Sequence, residues 1–176
     1  MRFLSFKLTE RILVRFSCLF FLALFSCKQN SLFQGKGLTS LQGTWQEDTL
    51  SLEIKPPRQV FTRYFFKFSC DSVYMTLKTH ASQNYFQDSC YSYGNWTEYC
   101  KGTYIERNDS LIITGVFTKS NFKMKVSGCH RTGNFRFWFT IHGQPLNGLM
   151  TLRNTEEHGL IFLKKIVTCA CVPQRI

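Results

Sequence analysis

The amino-acid sequence predicts an all-β fold, an antiparallel meander that closes into a barrel of about eight or nine strands. Three observations predict it. Short apolar or alternating segments recur at roughly 8–12-residue spacing between turn-forming pairs such as Cys70-Asp71, Asn108-Asp109, Thr132-Gly133 and Gln144-Pro145. Aromatic residues make up 16% of the chain, with 18 Phe, and that composition suits strands. No long segment carries a helical period.

The first 26 residues stand apart from this pattern. Arg2, Lys7, Arg11 and Arg15 precede an apolar run at 16–25. A membrane-spanning helix needs about 20 apolar residues, so the run has the length of a signal-peptide core instead. Leu24-Phe25-Ser26-Cys27 follows, then polar Lys28-Gln29-Asn30-Ser31. This stretch resembles the lipobox of bacterial lipoproteins. The resemblance implies cleavage before Cys27, lipidation of its thiol and acylation of the new amine. The acyl chains would hold the protein to a bilayer, since each buried CH₂ contributes about 0.8 kcal/mol. With Lys28 after the cysteine, the enteric sorting rule points to the outer membrane. The expected organisation is a signal peptide over 1–26, a lipidated tether over 27–40, and a barrel domain with a short C-terminal tail over 41–176. The domain is long enough to bury a real core, roughly 70% of its unfolded surface.

Candidate strands within the domain are 41–46, 62–69, 72–80, 96–106, 110–117, 122–129, 134–141, 147–153 and 159–166. Residues 81–94 hold Tyr, Ser, Asp and Gly and read as a loop. In 122–129, Phe122, Met124 and Val126 alternate with Lys123, Lys125 and Ser127. In 134–141, Phe135, Phe137, Phe139 and Ile141 alternate with polar residues and Trp138. A hairpin between these two keeps one face apolar in either of two registers. A second hairpin turns at Asn108-Asp109, which sets Tyr104 opposite Ile113, Gly102 opposite Gly115 and Cys100 opposite Phe117. Paired strand glycines mark a bend or a close approach by another group, and a bend is the favoured reading.

Beyond Cys18 and Cys27 the chain has six cysteines: Cys70, Cys90, Cys100, Cys129, Cys169 and Cys171. An even number in an exported domain suggests disulfides, with the pairing left open. No pair has structural-zinc spacing, so neither a metal nor another cofactor is expected.

Near the start of the domain, Leu41-Gln42-Gly43-Thr44-Trp45 resembles the G-x-W motif in the first strand of lipocalins and lipocalin-like bacterial domains. The resemblance implies that Gly43 and Trp45 are structural. Trp45 would plug the closed end of the barrel under a basic residue from the chain's end, Lys164 or Lys165, with Arg153 second. The segments Phe68-Ser69-Cys70-Asp71-Ser72, Asp88-Ser89-Cys90-Tyr91, Lys101-Gly102-Thr103-Tyr104 and Ser127-Gly128-Cys129 are similar to small exported lipoproteins of Bacteroidota-type bacteria. Some similar chains carry a fumarate hydratase label, which the residues here do not support. The enzyme's Gly-Ser-Ser-x-Met-Pro-type segment is missing, and an iron–sulfur site needs reduced cysteines that export disfavours.

No catalytic constellation is visible. His80, His130, His142 and His158 fall at turns or strand ends, and Cys129-His130 are neighbours that would point to opposite faces of a strand. Glu98, on a strand beside Tyr99, is the acid least easily dismissed. The chain carries a net charge of +11, and removing the leader's four cations and Glu10 leaves +8. An exported domain meets little nucleic acid, so a stripe of Lys123, Lys125 and Arg136 would face anionic lipid or plain solvent. The first expectation is a monomeric, envelope-anchored binding module for a small apolar or amphipathic ligand, lined by Tyr104, Phe117, Phe135, Phe137 and Phe139. The alternative is a structural or protein-interaction lipoprotein with no ligand pocket, and an enzyme ranks third.

Overall fold

The computed structural model describes residues 33–48, 60–82, 89–155 and 159–175, and the leader, Cys27 and His158 lie outside them. Eight strands run in chain order: β1 (Gly43–Glu47), β2 (Val60–Ser69), β3 (Ser72–Ala81), β4 (Asn95–Arg107), β5 (Ser110–Thr118), β6 (Asn134–Leu146), β7 (Leu149–Asn154) and β8 (Leu160–Val167). Each pairs antiparallel with the next, and β8 pairs back with β1, so the sheet is a closed barrel in meander order. Closure gives every strand a partner on both sides and leaves no edge. The expected fold class is the observed one.

Alternation decides what the barrel contains. Inward positions hold Phe66, Phe68, Met75, Leu77, Ile113, Phe139, Leu152 and Leu163, all buried at 2% exposure or less. The β4–β5 hairpin has the register its turn implies: Tyr104 opposite Ile113, Gly102 opposite Gly115 and Cys100 opposite Phe117. The two glycines permit a close approach of the two strands themselves. A Cβ on Gly102 would lie 2.2 Å from the Thr114 carbonyl oxygen, and one on Gly115 would lie 2.2 Å from that of Lys101.

The expected strand at 122–129 is a correction. β5 pairs directly with β6, matching Ile113 to Phe137 and Gly115 to Phe135. Residues 119–133 form a long connection between them, with one isolated backbone bridge at Thr118–Met124. Met124 and Val126 are 70% and 83% exposed, so they do not face β6. The reason is competition. β5 offers β6 an inward apolar row, Leu111, Ile113 and Phe117, that is better buried. Phe122 instead adopts a positive φ of 57° and packs its ring on Tyr74 and Tyr99, outside the barrel. Lys123, Lys125 and Arg136 therefore make no shared strand-pair stripe. Lys125 Nζ is turned onto the Cys129 and Arg131 carbonyls, whereas Arg136 lies over Trp138 on β6.

Residues 33–40, expected as the outer part of a tether, are built into the barrel's closed end. Phe33 bridges to Arg175, the Gly35 amide donates to Asp71 Oδ2 at 2.9 Å, and the Leu38 amide donates to the Tyr104 hydroxyl at 2.9 Å.

Candidate functional site

Three regions could carry function: the closed end, the interior, and the mouth opposite. The closed end is built around Trp45. Its indole N–H donates to the Leu41 carbonyl at 2.7 Å, and Lys165 Nζ lies 4.6 Å from the ring centre while donating to the Ser40 carbonyl at 2.9 Å. The cation over Trp45 is therefore Lys165. Lys164 and Arg153 sit at the alternate, exposed positions of β8 and β7. Gly43 has φ of 123°, and a Cβ there would meet the Val167 carbonyl oxygen at 2.1 Å. Beside this plug lies a buried polar node that no sequence pattern indicated. Gln42 accepts from the Cys70 amide at 2.7 Å and donates to the Cys70 carbonyl at 2.9 Å and to the Tyr104 hydroxyl at 3.0 Å. Burial pushes the Tyr104 phenol up, and the group stays a neutral donor to the Cys70 carbonyl at 2.8 Å. Tyr104 thus belongs to the barrel's floor and not to a ligand wall.

The six cysteines divide. Cys70–Cys171 and Cys90–Cys129 are disulfides, while Cys100 and Cys169 are free thiols. Cys70–Cys171 pins the C-terminal tail under the floor. Cys100 faces the filled interior, where burial pushes its thiol up to about 12 and holds it neutral. Cys169 is half-buried, its Sγ 3.7 Å from the Phe68 carbonyl.

The interior is packed through its lower and middle levels. Trp45, Phe68, Leu111, Ile113, Phe139 and Leu152 expose no more than 0% of their surface. A space wide enough for a ligand, or even water, would leave accessible surface on the side chains lining it. Phe139 touches Tyr64 and Phe66 edge-on, with ring centres 6.1 and 5.8 Å apart. Of the five expected lining residues, Phe117, Phe135 and Phe137 stand at the mouth in a chain of ring contacts, at 5.4 and 4.7 Å, and Phe137 is the least buried.

The mouth holds the one buried acid that the sequence made hard to dismiss. Glu98, inward on β4, receives Arg131 from the β5–β6 connection. Arg131 Nε lies 2.9 Å from Oε1 and its terminal nitrogen 2.7 Å from Oε2, and the Arg131 amide adds a bond at 3.2 Å. Burial would raise the Glu98 carboxyl, but the hydrogen bonds and charge of Arg131 outweigh it and hold the group below the usual range. The guanidinium also lies 4.8 Å over the Phe117 ring. The Cys90–Cys129 bridge fastens the short 3-10 turn Ser89–Gly94 to the same connection. Tyr91, Trp96 and His130 cluster next to it, with ring centres 5.0 to 6.2 Å apart. A space of about 320 Å³ under the connection is lined by Glu98, Phe117, Thr118, Lys125, His130 and Arg131 among others. Arg131 was missed because its partner lies 33 residues away, joined only by folding.

Among the described residues, the Glu98–Arg131 ion pair is the arrangement at this mouth whose chemistry is defined. A carboxylate held ionised by a guanidinium is a poor proton acceptor near neutral pH, and a neutral buried thiol is a poor nucleophile. Among the described residues, no group of three His, Cys, Asp or Glu side chains is placed to hold a metal ion, and no helix is long and apolar enough to cross a membrane. No protein-family model, no curated protein and no solved structure matches the chain.

Proposed function

We propose that the chain is a non-enzymatic envelope lipoprotein, anchored in the outer membrane through Cys27, whose lipocalin-like barrel acts as an interaction module from its outer wall and rim. The observation that carries this reading is the packing of the interior. Side chains such as Phe68, Ile113 and Phe139 have no accessible surface, so the central volume is spent on stability. A barrel of eight strands has an interior just wide enough for side chains to fill, and here they fill it. The lipobox-like Leu24-Phe25-Ser26-Cys27 supports the anchor, and the arrangement needs no cofactor.

A second reading keeps a small apolar or amphipathic ligand, held at the mouth. It is favoured by the ring contacts of Phe117, Phe135 and Phe137 and the partial exposure of Phe137. Native mass spectrometry of the protein purified from its own host separates the two. The interaction module runs at the mass of the acylated chain alone. A retained adduct, lost on substituting Phe137→Asp, establishes the ligand-binding reading instead. Labelling with a palmitate analogue tests the anchor: wild type incorporates it, Cys27→Ala does not, and equal labelling removes the lipoprotein from the account.

A further inference from the structure

The outer wall of the barrel carries positive charge and, on its strands, no carboxylate. Outward positions hold Arg63, Lys67, Lys78, Lys101, Arg136 and Arg153 among the described residues, whereas the strand acids Glu47, Glu98 and Glu106 all stand at inward register positions. At the rim of β2, β3 and β4 this wall is hollowed. A groove of about 400 Å³ is lined by Phe61, Arg63, Lys78, His80, Asn95 and Trp96, together with flanking threonines. Arg63 and Lys78 are direct cross-strand partners. Like charges placed opposite each other destabilise a sheet unless something compensates them. Among the described residues Arg63 forms no ion pair, and no acid lines the groove. Phe61 packs on His80 with ring centres 5.2 Å apart, and His80 Nδ1 is 2.7 Å from Asn95 Oδ1, so one end of the groove is held in place by its own contacts.

We propose that this groove binds a phosphoryl group carried on a small polar ring, as in a sugar phosphate or a phospholipid headgroup. It deepens the reading of the outer wall as the working surface and does not depend on lipidation. Arg63 supplies the planar fork that matches phosphate oxygens, and Lys78, its cross-strand partner with Nζ 5.1 Å from the Phe65 ring centre, supplies a point charge. The dianion removes the repulsion between them. Phe61 gives the ring an apolar face to lie against, and the Asn95 amide is within the same hollow. The volume is that of a small-molecule site.

The test uses the full chain in detergent, followed by Trp fluorescence and thermal melting. Its probes are a hexose monophosphate, the unphosphorylated hexose, inorganic phosphate, and vesicles with or without phosphatidylinositol phosphate. The hexose phosphate binds, falling at least about tenfold in affinity for Arg63→Gln and for Lys78→Gln, while Arg153→Gln, on the same wall outside the groove, binds like wild type. Without ligand, Arg63→Gln melts no lower than wild type, since it removes a like-charge contact, so lost binding is not lost folding. Preference for hexose phosphate over phosphatidylinositol phosphate vesicles assigns a soluble source, and the reverse assigns a headgroup. Binding of the unphosphorylated hexose equal to that of its phosphate, equal binding by the Arg63→Gln and Arg153→Gln variants, or no binding by any probe overturns the proposal. The module reading survives each of these, because its own test is the mass of the native protein.

Discussion

Arg131 reaches from an irregular connection to place its guanidinium on both oxygens of Glu98, while the reverse face of the same group covers the Phe117 ring. One residue thereby neutralises the acid in the wall and closes the aromatic layer beneath it.

This pair sets an acid dependence. The folded Glu98 carboxyl lies below its ordinary 4.5, so its stabilisation is complete above about pH 4.5 and is lost as pH falls through the depressed value. In Arg131→Ala the burial remains and the pairing is gone, so the carboxyl rises above its unfolded value. Its contribution is then present at low pH and lost as pH increases. Urea midpoints should climb from about pH 2 to 5 in wild type and fall from about pH 4 to 7 in the variant. Parallel curves would show that Arg131 does not control Glu98.

Trp45 and Lys165 separate packing from charge. Trp45→Ala opens a cavity at the floor and should cost about 3–5 kcal/mol by chemical denaturation. Lys165→Met keeps the apolar stem and removes the cation, so the expected loss is about 0.5–2 kcal/mol. A loss as large as that of Trp45→Ala would mean that the bond to Ser40, not the ring, is the main partner.

Gly102→Ala brings a methyl group against the Thr114 carbonyl and the Gly115 Cα. Backbone cannot step aside as a flexible side chain can, so a cost of at least about 1–3 kcal/mol is expected. Thr103→Ala, one position along on the exposed face, should stay within about 0.5 kcal/mol. Equal melting temperatures for the two variants would remove the close-approach explanation.

Thiol accessibility follows from burial. Peptide mapping after brief alkylation should find Cys169 modified in the native protein and Cys100 only after unfolding. The Cys70–Cys171 bridge closes a separation of 101 residues, and its loss through Cys171→Ser should cost up to about 4.7 kcal/mol on the chain-entropy model. Prompt native labelling of Cys100 would show that the interior opens more readily than its packing implies.

The barrel was legible because alternation is local information. Phe135, Phe137 and Phe139 announce an inward face without reference to any partner, and Asn108-Asp109 sets the β4–β5 register by itself. The failure at 122–129 has the same origin. Phe122, Met124 and Val126 alternate as well as a true strand does, but alternation does not say which neighbour will pair with β6. Cys90–Cys129, Glu98–Arg131 and the Gln42 node join residues 28 to 62 positions apart. Each is a product of the finished topology, so no local pattern could have disclosed it. The acid-free wall lies between these cases: its parity was written in the strands, but it became visible only when all registers were known.

The bridge between Phe33 and Arg175 means that the described domain is entered and left at the same pole, beneath Trp45. The Glu98–Arg131 pair stands at the opposite end of the described strands, so an attachment made at Phe33 or Arg175 starts from the pole away from it.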